Sequence, residues 1–328
     1  MTALPASAKG KGATMNTITQ ARPAQESGIR IDSLAFVTAP VADIAAARRF
    51  YSRILGLQDM GMDQLPGFGP HAVLRLPSGQ FLVLTSPEGP DTRGTGVHNA
   101  FRVSPAARDA IAERLAADKI GVLTYLEDRP KEETENFFFL DPDGNRIQLI
   151  RSPSAKATAG VQAIDHTVVL TYDMLWAESF YGEGLRLPVE SRVGVRTADH
   201  ARARRWAAGE EQMAPGTRRL DKLYMTMGGQ NEVPRANMQV YFTAGSAVFG
   251  IYLATKHQQE PPEEQLVGAP RTAFLVAPGD LERIAALLQK RRRPFAGPVD
   301  HPKSAPFAAS LYCKDQSGNF LEFCVPRR

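Results

Sequence analysis

The sequence is poor in cysteine and tryptophan, with two of each among 328 residues. Two cysteines, Cys313 and Cys324, cannot form the framework of a disulfide-rich domain. We interpret them as buried thiols in a reducing compartment, with a single disulfide between them as the alternative. No apolar run approaches the roughly 18 residues of a membrane span. The net charge of +4 is small and dispersed, so we predict a cytoplasmic protein that binds neither nucleic acid nor membrane.

The length and the apolar content are those of a globular protein with two domains. Hydrophobic residues make up 43% of the chain and charged residues 23%, which is typical of packed domains. Residues 1–28 lack the apolar core of a signal peptide and are predicted to be a disordered tail. The small and polar residues 153–161 indicate a linker between a first domain, 29–152, and a second domain, 162–328.

Each predicted domain contains two units of strand, helix and further strands, and the second domain repeats the first. The matching segments are Ile31–Val37 with Ile164–Leu170, His98–Pro105 with Arg271–Pro278, and Asp141–Gln148 with Asp315–Glu322. The second domain has roughly 40 additional residues between about 184 and 237, a length typical of a binding loop, lid or subunit contact. This insertion contains a helical pattern over residues 198–208, which we interpret as a solvated surface helix, with a lid or subunit contact as the alternative.

The last predicted strand contains one acidic residue in an apolar segment. Ser310–Cys324 has the pattern of a strand, a turn at Asp315–Gly318 and a second strand that carries Glu322. A buried carboxylate is costly unless a metal ion, an arginine or a hydrogen-bond donor meets it. We therefore expect such a partner for Glu322.

The two halves, each ending in a D-x-x-G-N-x-x-[EQ] hairpin, resemble the vicinal oxygen chelate superfamily. That group includes glyoxalase I, bleomycin-resistance proteins, fosfomycin-resistance enzymes and extradiol dioxygenases. The resemblance covers residues 31–326 apart from the insertion. It implies an α+β fold of two tandem glyoxalase-type domains, in each of which paired βαβββ modules form a curled eight-stranded mixed sheet. Enzymes of this group hold a divalent metal in the resulting cup, with open positions for two substrate oxygens.

The resemblance also implies where ligands stand: on the first strand of each module and on the last strand of the second. In the second half these positions hold His166, Arg271 and Glu322, with Tyr252 at an optional fourth. In the first half they hold Ser33, His98 and Gln148, with Val83 at the fourth. We therefore interpret the first half as a structural copy in which His98 is a core histidine, and place the site in the second half.

The segment before Glu322 is similar to the extradiol dioxygenase signature, in which a tyrosine precedes the ligand glutamate by ten residues. Tyr312 occupies that position, and His301 is the candidate for the upstream histidine of the signature. Gln316 replaces the usual proline, and His301 lies about two residues too far upstream for the pattern. Arg271 stands where the middle histidine ligand belongs, and a guanidinium cannot coordinate a metal.

Three accounts of Glu322 remain open at this point. In the first, which we favour, His166, Glu322 and Tyr252 hold Fe²⁺ or Mn²⁺, with water or His257 as a further ligand. In the second, Arg271 and Glu322 form an ion pair, and the cup of a metal-free protein binds and sequesters a small molecule. In the third, a metal-free enzyme uses His166 as a general base beside Glu322, and Arg271 binds an anionic group of the substrate.

The favoured account predicts a metal-dependent enzyme of the dioxygenase or glyoxalase type. Its substrate would be a small aromatic or vicinally oxygenated compound. Tyr312, His301 and Arg271 would supply acid–base chemistry or hydrogen bonds to that substrate, and the chain would assemble as a monomer or as a homo-oligomer.

Overall fold

The structure is a computed structural model that describes residues 28–89, 92, 96–124, 137–152, 160–171, 173–193, 239–253 and 261–327. Within these ranges the chain repeats one module four times: a strand, a helix and three more strands. The strands are β1 (Ile31–Pro40), β2 (Gln58–Met62), β3 (His71–Arg75), β4 (Phe81–Thr85), β5 (Asn99–Val103), β6 (Val122–Thr124), β7 (Phe137–Leu140), β8 (Arg146–Arg151), β9 (Ala163–Thr171), β10 (Val189–Val193), β11 (Gln239–Ala244), β12 (Ala247–Leu253), β13 (Arg271–Val276), β14 (Phe295–Asp300), β15 (Phe307–Lys314) and β16 (Phe320–Pro326). The helices are α1 (Ile44–Leu55), α2 (Pro105–Ala117), α3 (Met174–Glu178), which continues as a π-helix (Ser179–Gly184), and α4 (Asp280–Lys290).

Capping residues mark the ends of α1 and the start of α3. Asp43 caps α1 by accepting a hydrogen bond from the backbone N–H of Ala46, and Gly56 ends it with a left-handed φ of 71°. Asp173 caps α3 in the same way. The apolar faces of all four helices pack into one core cluster that also contains residues of both sheets.

The predicted α+β architecture is confirmed, with two eight-stranded mixed sheets. Sheet A has the order β14-β15-β16-β13-β1-β4-β3-β2, and sheet B has the order β10-β11-β12-β9-β5-β8-β7-β6. Sheet A therefore joins the first module to the fourth, and sheet B joins the second to the third. The expectation that residues 29–152 and 162–328 each form a sheet of their own is wrong.

The pairing differs because the first strands of the modules pair antiparallel across the two halves. β1 pairs with β13, where Leu34 lies opposite Phe274, and β5 pairs with β9, where Ala100 lies opposite His166. All four strands have similar apolar patterns, so the sequence pattern does not specify which of them become neighbours.

Contacts within each half come from the D-x-x-G-N hairpin. Asp141 accepts a hydrogen bond of 2.7 Å from the hydroxyl of Tyr51 on α1, and Asn145 donates one of 2.8 Å to the backbone oxygen of Pro40. The second half repeats both contacts, from Tyr181 to Asp315 and from Asn319 to Leu170. The hairpin motif therefore fastens the second module of each half to the first.

Several sequence predictions lie outside the described residues: the tail, most of the linker, His257 and the helical pattern at 198–208. No described helix is both long and apolar enough to cross a membrane.

Candidate functional site

The residues predicted to form one site lie on two different sheets. His166 and Tyr252 belong to sheet B, whereas Arg271, Tyr312 and Glu322 belong to sheet A, with His301 directly after β14. Binding of one metal ion by His166 and Glu322 together is therefore contradicted by the strand pairing. We name the two groups site B and site A. Site B comprises His98, Gln148, Asp165, His166, Tyr241 and Tyr252, and site A comprises Phe36, Phe68, Arg271, His301, Ser310, Tyr312 and Glu322.

Strand register also corrects the ligand position that was assigned to Ser33. Phe36, not Ser33, occupies in sheet A the place that His166 occupies in sheet B, because each lies opposite the equivalent residue of its antiparallel neighbour. Phe36 and His166 also each precede a helix-capping aspartate, Asp43 or Asp173, by seven residues. These two caps were the signal in the sequence that would have given the correct alignment.

Site B is built around two histidines on neighbouring strands. The Nε2 atoms of His98 and His166 lie 2.8 Å apart. The Nδ1 atom of His98 lies 2.7 Å from the backbone oxygen of Gly96, and Nδ1 of His166 lies 2.7 Å from Oδ1 of Asp165. Both of these oxygens can only accept, so both Nδ1 atoms carry the proton. In their neutral forms both Nε2 atoms therefore present lone pairs to each other.

Two facing lone pairs need a positive charge between them, either a proton or a metal ion. Burial and the neighbouring His166 lower the pKa of His98 to about 3, from an ordinary value of 6.5, which disfavours a proton on His98. An imidazole that donates its other N–H to a carbonyl or a carboxylate is also the usual form of a metal ligand. His98, interpreted from the sequence as a core histidine, thus belongs to the better candidate for a metal centre.

Asp165 fixes the orientation of His166. Its carboxylate accepts from His166 through Oδ1 and from Nε of Arg102 through Oδ2, at 2.7 Å each. Burial works in the opposite direction, but the contacts with His166 and Arg102 hold the pKa of Asp165 below its ordinary value. Asp165 therefore stays ionised beside the histidine pair.

An amide and two phenols surround the histidines. The side chain of Gln148 lies near His98 and acts to raise the pKa of that histidine, against the larger effect of burial. The rings of Tyr252 and His98 have centroids 5.9 Å apart, and the hydroxyls of Tyr252 and Tyr241 lie 2.5 Å apart. Tyr241 donates to Gln239 at 2.8 Å, so Tyr252 is the donor within the tyrosine pair. Burial, followed by the contact with Tyr252, raises the pKa of Tyr241 and keeps it protonated.

The residues of site B fit a metal ion through two imidazole nitrogens and one amide oxygen. Among the described residues, no three His, Cys, Asp or Glu side chains are grouped to hold a metal, so Gln148 is the third donor on offer. On β12 the position equivalent to Gln148 is held by Gly250, which has no side chain to bind a metal. Tyr252, predicted as a fourth ligand, stands two residues further along β12, with its ring beside that of His98.

Site A contains the alternative partner predicted for Glu322. Nε of Arg271 lies 3.3 Å from Oε2 of Glu322, and both side chains are at least 97% buried. Ser310 donates to Oε1 of Glu322 at 2.6 Å. The guanidinium of Arg271 stacks 3.7 Å from the centre of the Phe68 ring. A permanently cationic group in this position does not fit a metal site.

The ion pair leaves hydrogen-bonding capacity unused. Within the described part of the chain, Nε, Nη1 and Nη2 of Arg271 and Oε2 of Glu322 have no hydrogen-bond partner. Burial lowers the pKa of Arg271 and raises that of Glu322, while the charge of each opposes the shift of the other. The hydroxyl of Tyr312 lies 3.4 Å from Nε2 of His301, and the guanidinium of Arg271 lies 5.1 Å from the centre of the Tyr312 ring.

Arg271, Tyr312 and His301, the residues predicted to act on the substrate, therefore lie together, but near Glu322 rather than near His166.

A cavity of about 320 Å³ lies where the first strands of the four modules meet. Thr38, Asn99, Thr167 and Thr272, one from each of these strands, line it. His98 and Arg271, the equivalent residues of the two sites, also line it. Both sites therefore border one space at the junction of the two sheets.

Comparison with known proteins relates both the sequence and the fold to one group. Residues 31–149 match the family model described as Glyoxalase/Bleomycin resistance protein/Dioxygenase superfamily. No curated protein matches the sequence. Among solved structures, a putative dioxygenase from Bacillus subtilis subsp. subtilis str. 168 is 12% identical, with a TM-score of 0.61 over 92% of this chain and 87% of that one. Glyoxalase I from Zea mays is also 12% identical, with a TM-score of 0.55 over 89% of this chain and 92% of that one. At this identity the likeness concerns the fold alone.

Proposed function

Because the chain belongs to the Glyoxalase/Bleomycin resistance protein/Dioxygenase superfamily through residues 31–149, we propose that it is an enzyme with a divalent metal ion in site B. His98 and His166 hold the ion, and the amide oxygen of Gln148 completes the set of protein ligands. The observation that carries this proposal is the 2.8 Å separation of two Nε2 atoms whose Nδ1 atoms are both committed to acceptors.

The donor set suits Fe²⁺ or Mn²⁺. Imidazole nitrogens suit iron and zinc, and neutral oxygens suit manganese. When bound, such an ion acts as a Lewis acid that polarises substrate oxygens. The small set of protein ligands leaves room for two oxygens of a small aromatic or vicinally oxygenated compound, the substrate class that we propose.

The remaining residues of site B orient and shield this centre. Asp165 holds His166 in the tautomer that exposes the Nε2 lone pair. The hydroxyls of Tyr252 and Tyr241 form a hydrogen-bonded pair beside the histidines, and the Tyr252 hydroxyl donates to a substrate oxygen when it turns away from Tyr241. His98 and Tyr252 are buried, and the lower dielectric constant of a buried site strengthens each of these electrostatic contacts.

Metal binding to purified full-length protein tests the proposal. The protein is stripped with a chelator and titrated separately with Fe²⁺ under anaerobic conditions, Mn²⁺, Zn²⁺, Ni²⁺ and Co²⁺. We expect one equivalent of Fe²⁺ or Mn²⁺ per chain in the native protein. His98→Gln and His166→Gln are each expected to weaken binding at least a hundredfold, because each leaves a single imidazole.

His71→Gln is the matched control. His71 is also buried, but backbone groups satisfy both of its ring nitrogens: Leu65 N–H at Nε2 and Gly69 oxygen at Nδ1, both at 2.9 Å. Its substitution should leave metal binding unchanged. Absence of stoichiometric binding to the native protein by any of the five ions, or full binding by folded His98→Gln, would overturn the proposal.

A further inference from the structure

Arg271 is a buried cation that lacks hydrogen-bond acceptors. None of its three side-chain nitrogens has a hydrogen-bond partner within the described ranges, although each is out of contact with solvent. The contact of 3.3 Å to Glu322 supplies charge, but not an aligned hydrogen bond. An unsatisfied buried donor destabilises a protein, and it does so more strongly when it is charged. Such groups call for an explanation, and a bound ligand is one.

Site A has the same strand framework as site B, but a cationic side chain, Arg271, stands within it. Arg271 stands at the place of His98, and Glu322 stands at the place of Gln148, in the same strand register. Phe36 replaces His166. A guanidinium thus replaces an imidazole at the position nearest the centre, and it presents planar N–H pairs that match a carboxylate.

Aromatic side chains surround the guanidinium. Its carbon lies 3.7 Å from the ring centre of Phe68, 5.1 Å from that of Tyr312 and 5.8 Å from that of Phe36. Phe81 and Phe307 extend the same apolar cluster. An anion that pairs with Arg271 would therefore have an aromatic environment for its body.

We propose that site A binds a small aromatic carboxylic acid without a metal ion. Nη1 and Nη2 of Arg271 donate to the two carboxylate oxygens, and Phe36, Phe68 and Tyr312 pack against the ring. Glu322, which accepts a hydrogen bond from Ser310, lies against Nε of the guanidinium. The site is independent of the metal proposed for site B, and chelator-treated protein binds the acid equally well.

The turn that carries Phe68 controls entry. Gly67 has a left-handed φ of 73°, and a β-carbon there would lie 2.9 Å from Cγ1 of Val267 and 3.4 Å from Nη1 of Arg271. The segment between β2 and β3 thus lies directly on the guanidinium. Binding requires Phe68 to move away from the guanidinium and repack against the ligand.

Benzoate is the probe, and benzamide is its neutral control of the same shape. Calorimetric titration of the full-length native protein should show saturable binding of one benzoate, with benzamide at least tenfold weaker. Arg271→Lys keeps the charge but removes the planar pair of donors, and it should weaken benzoate binding at least tenfold. Arg283→Lys makes the same change at an exposed arginine of α4 that pairs with Asp280, and it should bind benzoate like the native protein.

A second measurement needs no variant and covers the case in which Arg271→Lys does not fold. Native crystals grown with 4-bromobenzoate should give an anomalous bromine signal beside Phe68 and Tyr312. The proposal is overturned if benzoate does not bind the native protein, if benzamide binds equally well, if folded Arg271→Lys retains the affinity, or if bromine is found only elsewhere.

Discussion

His98 and His166 come from different halves of the chain, yet their Nε2 atoms lie 2.8 Å apart across the pairing of β5 with β9. The contact exists only because the second module shares a sheet with the third. A site in either half alone would lack one of the two imidazoles. The metal site that we propose therefore belongs to a sheet that spans both halves, and substitutions on either side of the linker should affect metal binding alike.

Asp165→Asn should weaken metal binding tenfold to a hundredfold without abolishing it. The amide removes the charge that accepts the Nδ1 proton of His166, and loss of such an outer contact typically has this effect. Dissociation constants for Mn²⁺, measured by competition with a chelator, check the prediction.

The control for Asp165→Asn is Asp59→Asn. Asp59 also accepts a hydrogen bond from an arginine, Nε of Arg48 at 2.9 Å, but it lies on β2 in sheet A. Its substitution should leave the constant unchanged. Equal affinities for native protein and Asp165→Asn would mean that His166 is not oriented by this contact.

Gln148→Glu should tighten metal binding at least tenfold. A carboxylate replaces a neutral amide beside two imidazoles, which gives the donor set most common for non-haem Fe²⁺. The shape of the side chain is kept, so the fold should not change. Gln148→Ala is the opposite test and should weaken binding. If the two variants bind the metal equally, Gln148 is not a ligand.

The modules of the fold could be predicted from the sequence, but the way in which they pair could not. Alternation of apolar residues and the repeated hairpin give the strands and helices, because both are local patterns. The choice between neighbours for β1 and β13 depends on long-range contacts of strands whose patterns are alike. The hairpin contacts within each half, such as that of Tyr51 with Asp141, favour two sheets that each form within one half. They do not indicate that the first module pairs with the fourth and the second with the third.

The candidate site was misplaced for a related reason. Similar residues at Ile31–Asp32 and Ile164–Asp165 suggested that Ser33 is equivalent to His166. Strand register shows a displacement of three residues, which makes Phe36 the equivalent. The sequence did identify Glu322 as a residue that requires a partner. It offered a metal ion and Arg271 as alternative partners, and the structure contains the arginine.

Tyr181→Phe should lower the free energy of unfolding by about 1–3 kcal/mol, the usual cost when a buried acceptor loses a donor. The hydroxyl donates to buried Asp315 at 2.8 Å, and Phe keeps the ring packing. Tyr51→Phe removes the equivalent contact of the first half and should cost a similar amount. Urea denaturation monitored by circular dichroism measures both. A loss in one variant only would show that the hairpins of the two halves are not equivalent in strength.

Glu322→Gln should destabilise the protein and make its stability depend on benzoate. The substitution leaves the buried guanidinium of Arg271 without its anion, and breaking a buried pair in this way typically costs about 3–5 kcal/mol. Benzoate restores a negative charge beside Arg271, so it should raise the melting temperature of the variant more than that of the native protein. Its dissociation constant should fall at least tenfold, because the ligand carboxylate no longer meets the like charge of Glu322 at the same guanidinium.

Glu178→Gln provides the comparison for that experiment. Glu178 is likewise a buried acid paired with an arginine, Arg192, but it lies on α3, away from site A. Its loss should destabilise the protein with no response to benzoate beyond that of the native chain. If benzoate stabilises the two variants equally, its effect does not depend on the charge of Arg271. If benzoate stabilises neither variant, Arg271 does not bind a carboxylate ligand, and its guanidinium serves only the ion pair with Glu322.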